Sequence, residues 1–387
     1  MSPQFSDFKN ATALTLDGVK ISHLRCHDAL QCMLQPGLNL IIGGNGSGKT
    51  TLLEAIALMA HGRSFRQSRS PLLVQHEQQR FMIHGQWHRY GPMHLSVAGR
   101  QGQTSVRLQG RDIQRRKDVS ESFPVLIDAP QGRKIIDGAP GERRRWLDAL
   151  VMIVYPSMRN NYERYLRAVM QRGRLLRRKI LSDELAVWEQ QIVQYGIPIV
   201  QAREKLLHEL NDLLLEEKAL TENAISLSMR MPVYTTETWC ERLKNKRQDD
   251  AKMGSLRFGP HVDAVNIHFQ AREIRSAGSR GQQKLAAIAL KMAECALWAK
   301  YRRLIPVILL DDCLEALDQT RQLRLFQRLQ LSPAQIIMTA PDGVSVSETI
   351  AIHIQRLTKQ GLNPCITDEQ DELNEPMMRD STMEEAA

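Results

Sequence analysis

Gly43-Gly-Asn-Gly-Ser-Gly-Lys-Thr50 follows the apolar run Leu38-Asn-Leu-Ile-Ile42 and leads into a helical pattern. That helix is predicted over Thr50 to His61, with Leu52, Leu53, Ile56 and Met59 at helical spacing. The octet matches G-x-x-x-x-G-K-[ST] between a strand and a helix, the context in which such a loop turns successive backbone N–H groups toward a phosphate. Gly43, Gly44, Asn45, Gly46, Ser47 and Gly48 are therefore candidate nucleotide contacts, with Lys49, Thr50 and Thr51 behind them. Lys49 is placed to reach β- and γ-phosphates, and the Thr50 hydroxyl to ligate Mg2+. Glycines suit the loop because a Cβ obstructs both the approach of phosphate and the positive-φ turns.

A second motif stands far down the chain. Pro306-Val-Ile-Leu-Leu310 is an apolar strand that ends in Asp311 and Asp312. The carboxyl ends of strands in doubly wound sheets are where ligands bind. Asp311 fits a carboxylate that holds Mg2+, and Asp312 one that orients or deprotonates an attacking water. Lys49 and Asp311 lie 262 residues apart, so a large segment is inserted between two halves of one α/β unit. Strand-like alternation runs from about Phe81 to Ile113, with Gly85, Gly91, Gly99, Gly102 and Gly110 as turn marks. Residues 142–250 change character and are helix-rich. Strand signals return at Val265-Asn-Ile-His-Phe269, followed by helices near 282–300 and 319–330 and strands at Pro306–Leu310 and Gln335–Thr339. No internal repeat is present.

Charge points to a partner. The chain carries +9, but residues 368–387 hold eight acids against Arg379, a net of −7; setting them aside leaves +16 on residues 1–367. A body this basic suits a polyanion, nucleic acid before membrane, or a basic but ordinary enzyme. The longest apolar run, Ala149 to Tyr155, is far too short to span a bilayer. The first 20 residues have no apolar core of a secretory leader. Six scattered cysteines without a C-x-x-C pair fit a reducing cytoplasm rather than a disulfide or zinc framework. Residues 143–179 hold eleven Arg or Lys and only two acids. There Tyr162, Tyr165, Leu166, Val169 and Met170 predict a buried helix face, with Arg164, Arg167, Arg174 and Arg178 on roughly the opposite one. A row of guanidiniums fits phosphates, so these four arginines, with Arg63 and Arg66 behind the phosphate-loop helix, are candidate DNA-backbone contacts. A solvated basic helix is the alternative. His61, His76 and His208 show no metal-ligand spacing and read as structural or surface.

Ser279-Arg-Gly-Gln-Gln283 opens the helix that leads to the acidic strand, and resembles the signature of ABC-type ATPases; Asp318 resembles their D-loop aspartate. The wider set of motifs resembles the RecF family, bacterial recombination mediators with an SMC-like ATPase head. The stretches that carry the likeness are Pro36 to Thr50, Leu53-Glu-Ala-Ile56, Gly62-Arg-Ser-Phe-Arg66, Gly138-Ala-Pro-Gly-Glu-Arg-Arg-Arg-Trp-Leu-Asp148, Gln171-Arg172, Phe258-Gly-Pro-His-Val-Asp263, Ser279 to Lys284 and Leu310-Asp-Asp312. The family's G-P-H-R-D-D is Gly259-Pro-His-Val-Asp-Ala264 here, and Gln131 stands where a glutamate is commoner. Thr339 occupies the position where transporters place a histidine.

The resemblance implies an α/β fold: an ABC/SMC-type P-loop ATPase head assembled from both chain ends, with an inserted α-helical lobe. The expected divisions are head at 1–141, lobe at 142–255, head again at 256–367, and an acidic disordered tail at 368–387. It further implies that Gln131 contacts nucleotide, and that Ser279, Gly281 and Gln282 contact ATP held by a second copy, so that ATP with Mg2+ pairs two chains into a homodimer. DNA, RecO and RecR are the implied partners, with RecA loading at gaps as the outcome. Three other readings stay open: a transporter ATPase subunit, another SMC-like head, and a switch that binds ATP without needing to hydrolyse it.

Overall fold

The computed structural model describes residues 8–66, 73–100, 103–130, 135–178, 180, 183–229, 235–270, 272–358 and 361–364. Gln131 and the acidic segment 368–387 lie outside the described residues.

Two six-stranded sheets enclose the phosphate-loop helix, Lys49–His61. The first is mostly parallel. Leu38–Ile42 sits inside it, paired in parallel with Ile336–Ala340 on one side and Ile352–Thr358 on the other. Val307–Leu310 follows, between Ile336–Ala340 and Val125–Asp128, and Gly361–Pro364 turns back antiparallel at the far edge. Every residue of Leu38–Ile42, Val307–Leu310 and Ile336–Ala340 is buried, as expected of strands covered on both faces. The second sheet is antiparallel, in the order His27–Met33, Thr15–Leu24, Arg80–His88, Pro92–Arg100, Gln103–Leu108, Arg111–Asp112. Its strands alternate: Phe81, Ile83, Trp87, Leu95 and Val97 face the helix and are almost fully buried. The helix between the sheets is apolar on nearly every side, which is what a helix covered all round requires.

The two chain ends are knitted together. Thr12–Ala13 pairs in parallel with Leu304–Ile305. The buried Gln335 side chain accepts from the Leu16 N–H at 2.7 Å and donates to the Leu16 and Gln35 carbonyls at 2.9 Å each. These bonds satisfy backbone groups that would otherwise be stranded between elements.

Between the ends stands a helical region. Pro140–Val154 leads to Met158–Arg177, which packs along the 34-residue helix Asp183–Glu216. Buried ion pairs fasten it. Arg172, fully buried, reaches Glu189 at 3.1 Å, Asp250 at 2.7 Å and the Leu243 carbonyl at 3.0 Å. Arg203 reaches Asp148 at 2.6 Å and the Pro260 carbonyl at 2.8 Å. Helical periodicity does not anticipate Ile225–Met229, a strand inside this region that pairs antiparallel with Val265–Phe269. The small sheet they form, with Arg272–Glu273, crosses the expected boundary at 255/256.

One expectation is corrected. On Met158–Arg177 the buried side runs through Tyr162, Tyr165, Ala168, Arg172, Gly173, Leu175 and Leu176, whereas Leu166 and Met170 are about half exposed, at 51% and 50%. The stripe of apolar residues is shifted because Arg172, neutralised by Glu189 and Asp250, takes a core position that a polar residue ordinarily forfeits.

Candidate nucleotide site

The loop after Leu38–Ile42 takes its shape from two left-handed glycines. Gly46 has φ +79° and Gly48, which caps the helix, φ +99°. A Cβ on Gly48 would lie 2.3 Å from His27 Nε2, so no side chain fits there. His27 is itself buried, its ring within 3.1 Å of the Gly48 carbonyl, and burial pulls its pKa below the usual histidine value. The Lys49 side chain folds across the loop and donates to the Gly43 carbonyl at 2.6 Å and the Gly44 carbonyl at 3.0 Å. The first turn of a helix leaves N–H groups without intrahelical partners, and with this ammonium beside them the loop suits anionic oxygen.

The acidic strand delivers its carboxylates to the same place. Thr50 Oγ1 donates to Asp311 Oδ1 at 3.1 Å, a contact between residues 261 apart in sequence. Thr339 Oγ1 donates to the same oxygen at 2.8 Å and accepts from the Asp312 backbone N–H at 2.9 Å. Asp311 is buried, and desolvation pushes its carboxyl above the ordinary range; Thr339 and Thr50 pull back while the Asp312 charge adds to the rise. Asp312 is half-buried and held at φ +49°, a left-handed conformation that turns its side chain out of line with the strand. Thr339, at the position where transporters place a histidine, thus hydrogen-bonds the segment that carries both aspartates.

The signature helix, Arg280–Arg302, begins at an exposed serine. Ser279 Oγ accepts from the Gln282 N–H at 3.3 Å, and Gln282 Oε1 accepts from the Ser279 N–H at 2.9 Å, a reciprocal cap. Gly281 is packed so closely that a Cβ would sit 2.9 Å from the Ala316 carbonyl oxygen. Lys284, also fully buried, donates to the Asp312 carbonyl at 2.7 Å. The helix start and the loop bearing Asp312 are therefore one rigid unit. Asp318 caps Gln319–Gln330 by accepting from the Arg321 N–H at 2.9 Å.

Several residues of the site escape motif reading. Glu54, on the buried phosphate-loop helix, takes Arg25 at 2.5 and 2.9 Å, the Ser64 hydroxyl, and Arg66 at 3.8 Å. A glutamate inside an apolar helix is the signal that could have found this cluster. Arg66 is thereby drawn toward the nucleotide side, where its charge is felt by Asp311. Arg63 is exposed. All four lobe arginines, Arg164, Arg167, Arg174 and Arg178, are exposed, and Arg164 also donates to Asn160 Oδ1 at 3.1 Å and to the Tyr195 hydroxyl at 2.8 Å. Thr51 is buried, with Cys26 Sγ 3.7 Å from its hydroxyl.

Residues 15–360 match the RecF/RecN/SMC N terminal domain family. The chain is 33% identical over 352 residues to the DNA replication and repair protein RecF of Stenotrophomonas maltophilia (strain R551-3), covering 87% of this chain and 95% of that one. It is 30% identical over 364 residues to the protein of that name from Moorella thermoacetica (strain ATCC 39073 / JCM 9320), covering 92% and 98%. A solved structure of the recombination mediator protein RecF with ATP, in the RecFOR pathway, superposes with a TM-score of 0.75 at 23% identity over 92% of this chain and 99% of that one. With residues 15–360 matched by the family model and relatives of 30% identity or more covering 87–92% of it, the chain belongs to the RecF family.

Proposed function

We propose that the protein is an ATP-dependent DNA replication and repair factor of the RecF kind, which pairs with a second copy when it binds ATP and holds duplex or gapped DNA. The carrying observation is the junction of Thr50 with Asp311, which brings the two chain ends to one phosphate site while Ser279 caps a separate, exposed helix tip. Among the described residues, the hydrogen bonds of Ser279 stay within its own cap, which leaves it available to a nucleotide held by another copy.

The residues present fit ATP with Mg2+. The glycine-shaped loop admits phosphate, and the hard oxygens of Thr50 and Asp311 are the donor set that Mg2+ takes beside phosphates and water. Lys49, released from the Gly43 and Gly44 carbonyls, supplies charge to the terminal phosphates. Asp312 accepts the proton of an attacking water, and Lys284 fixes the loop from which it does so. Gln131 is assigned a nucleotide contact on resemblance alone. Hydrolysis is slow, stimulated by DNA, and serves to release the dimer.

For DNA, Arg164, Arg167, Arg174 and Arg178 form one exposed basic face, and Arg63 and Arg66 are secondary contacts. The relatives' names support DNA replication and repair as the setting, and the RecFOR setting of the solved neighbour supports RecO and RecR as partners. No helix among the described residues is long and apolar enough to cross a membrane. The test is DNA binding with and without ATP on gapped, single-stranded and duplex substrates at two salt concentrations. ATP-dependent binding that weakens with salt is expected; binding indifferent to ATP overturns the reading.

A further inference from the structure

The antiparallel sheet has an outer face that nothing among the described residues covers. Across it run two rows of cross-strand neighbours. One is Gln31, Lys20, His84, Ser96 and Arg107; the other is Met33, Gly18, Gln86 and His94. Lys20, His84 and His94 are exposed. Between Gln31 and Arg107 the first row contains no carboxylate, and Asp112 beyond it is already paired with Arg107 at 2.8 Å. A shallow cavity of about 360 Å3 lies here, floored in part by Gly18, where a Cβ would meet Met33 Sδ at 3.1 Å.

This face differs from the molecule's other basic clusters. Arg25 and Arg66 are engaged by Glu54, Arg172 and Arg247 by Glu189, Arg203 by Asp148, Arg321 and Arg324 by Glu222. Lys20, His84 and His94 have no acidic partner among the described residues. Lys20 brings a positive charge with no carboxylate beside it, and the imidazoles of His84 and His94 add N–H donors, a lining that suits a segment rich in carboxylates.

The chain's acidic segment leaves the described structure at the edge of this face. Gly361–Pro364 runs antiparallel to Ile352–Thr358, with Pro364 opposite Gln355, and so heads away from the phosphate loop. Gln355 in turn accepts from Cys32 Sγ at 3.3 Å, on the inner side of the same strand whose Gln31 and Met33 lie on the outer side. The strand Gly361–Pro364 packs on His27–Met33, the edge strand of the antiparallel sheet. Residues 368–387 carry a net −7 and set Leu373, Met377 and Met378 among their acids. The second row is crossed in three strand spacings, about 15 Å, a small part of the reach of twenty extended residues, about 65 Å.

We propose that residues 368–387 dock on the outer face of the antiparallel sheet, their carboxylates against Lys20, His84 and His94 and their apolar side chains against the half-exposed Met33. Lodged there, the segment competes with any other polyanion for that face. The consequence for DNA rests on the proposed function, but the docking itself does not.

The test compares the full chain with the chain stopped after Thr367. Lys20 is acetylated with a succinimidyl ester, His84 and His94 are modified with diethyl pyrocarbonate, and adducts are quantified by peptide mass spectrometry. A tethered segment has an effective concentration of about 1 mM, so even a contact of ~0.3 mM strength hides the face about three-quarters of the time. Removal is therefore expected to speed modification about four-fold at Lys20, His84 and His94. At about 1 M salt the difference should vanish, since screening falls to a few ångströms. Lys252 and His208, exposed and more than 100 residues from this face in sequence, serve as references. Equal rates at Lys20, His84 and His94 in both chains overturn the proposal and leave the face to another partner such as nucleic acid. An equal rise at Lys252 and His208 also overturns it, because the effect would not be local.

Discussion

On the proposed function, turnover depends on Asp312. Its segment is fixed by the Thr339 hydroxyl and by Lys284, so an amide in its place keeps the geometry and loses only the ability to accept a proton. Asp312→Asn is expected to bind ATP normally and hydrolyse it at least about 100-fold more slowly, read by phosphate release. Normal turnover would remove Asp312 from that role. Lys49→Ala is expected to abolish ATP binding by calorimetry. A third residue bears on stability. His61, at the end of the phosphate-loop helix, lies 3.0 Å from the Val125 carbonyl, and burial lowers its pKa to about 4. The unfolded chain, with a histidine near 6.5, then binds the proton that the folded chain refuses. Stability should fall as pH drops from 6.5 toward 4, by about 3 kcal/mol from this group, and level off below. His61→Gln should flatten that part of the pH profile in denaturant melts. Spacing alone reads His61 as structural or surface; here the side chain is half-buried and engaged by the Val125 carbonyl.

Among the elements, the helix Met158–Arg177 shows where sequence patterns stop being informative. Its periodicity is real, yet the stripe that gets covered is chosen by Glu189 and Asp250, which lie 17 and 78 residues from Arg172. No local pattern carries that information. Arg172→Ala should cost about 3–5 kcal/mol, because it leaves the buried Asp250 carboxylate unpaired. On the exposed side, Arg167→Ala with Arg174→Ala should lower the slope of log affinity against log salt by about 1.8 for duplex DNA, with equal losses for all sequences. An unchanged slope would move the DNA site elsewhere. The long helix Asp183–Glu216 offers a packing check: a Cβ on Gly196 would lie 2.4 Å from Trp239 Cη2, so Gly196→Ala should destabilise by about 1–3 kcal/mol despite alanine's better helix propensity.

At the scale of the whole molecule, the union of the two chain ends was legible because each half carries a strand that ends in chemistry: Leu38–Ile42 in the glycine loop and Val307–Leu310 in two aspartates. Their parallel neighbours follow from the same logic. The strand Ile225–Met229 was not legible, since five residues with one face buried look like the end of a helical stretch until Val265–Phe269 is beside them. Nor were Glu54 and Lys284, whose partners are backbone carbonyls and arginines brought near only by folding. The central claim is that the site is completed by a second copy, with Lys49 from one chain and Ser279 from the other about one nucleotide. Sedimentation velocity with ATP tests it most directly. The unmodified chain should shift from monomer to dimer, while Ser279→Arg should keep the monomer's ATP affinity and remain monomeric. A Ser279→Arg chain that dimerises with ATP as strongly as the unmodified one would contradict the account.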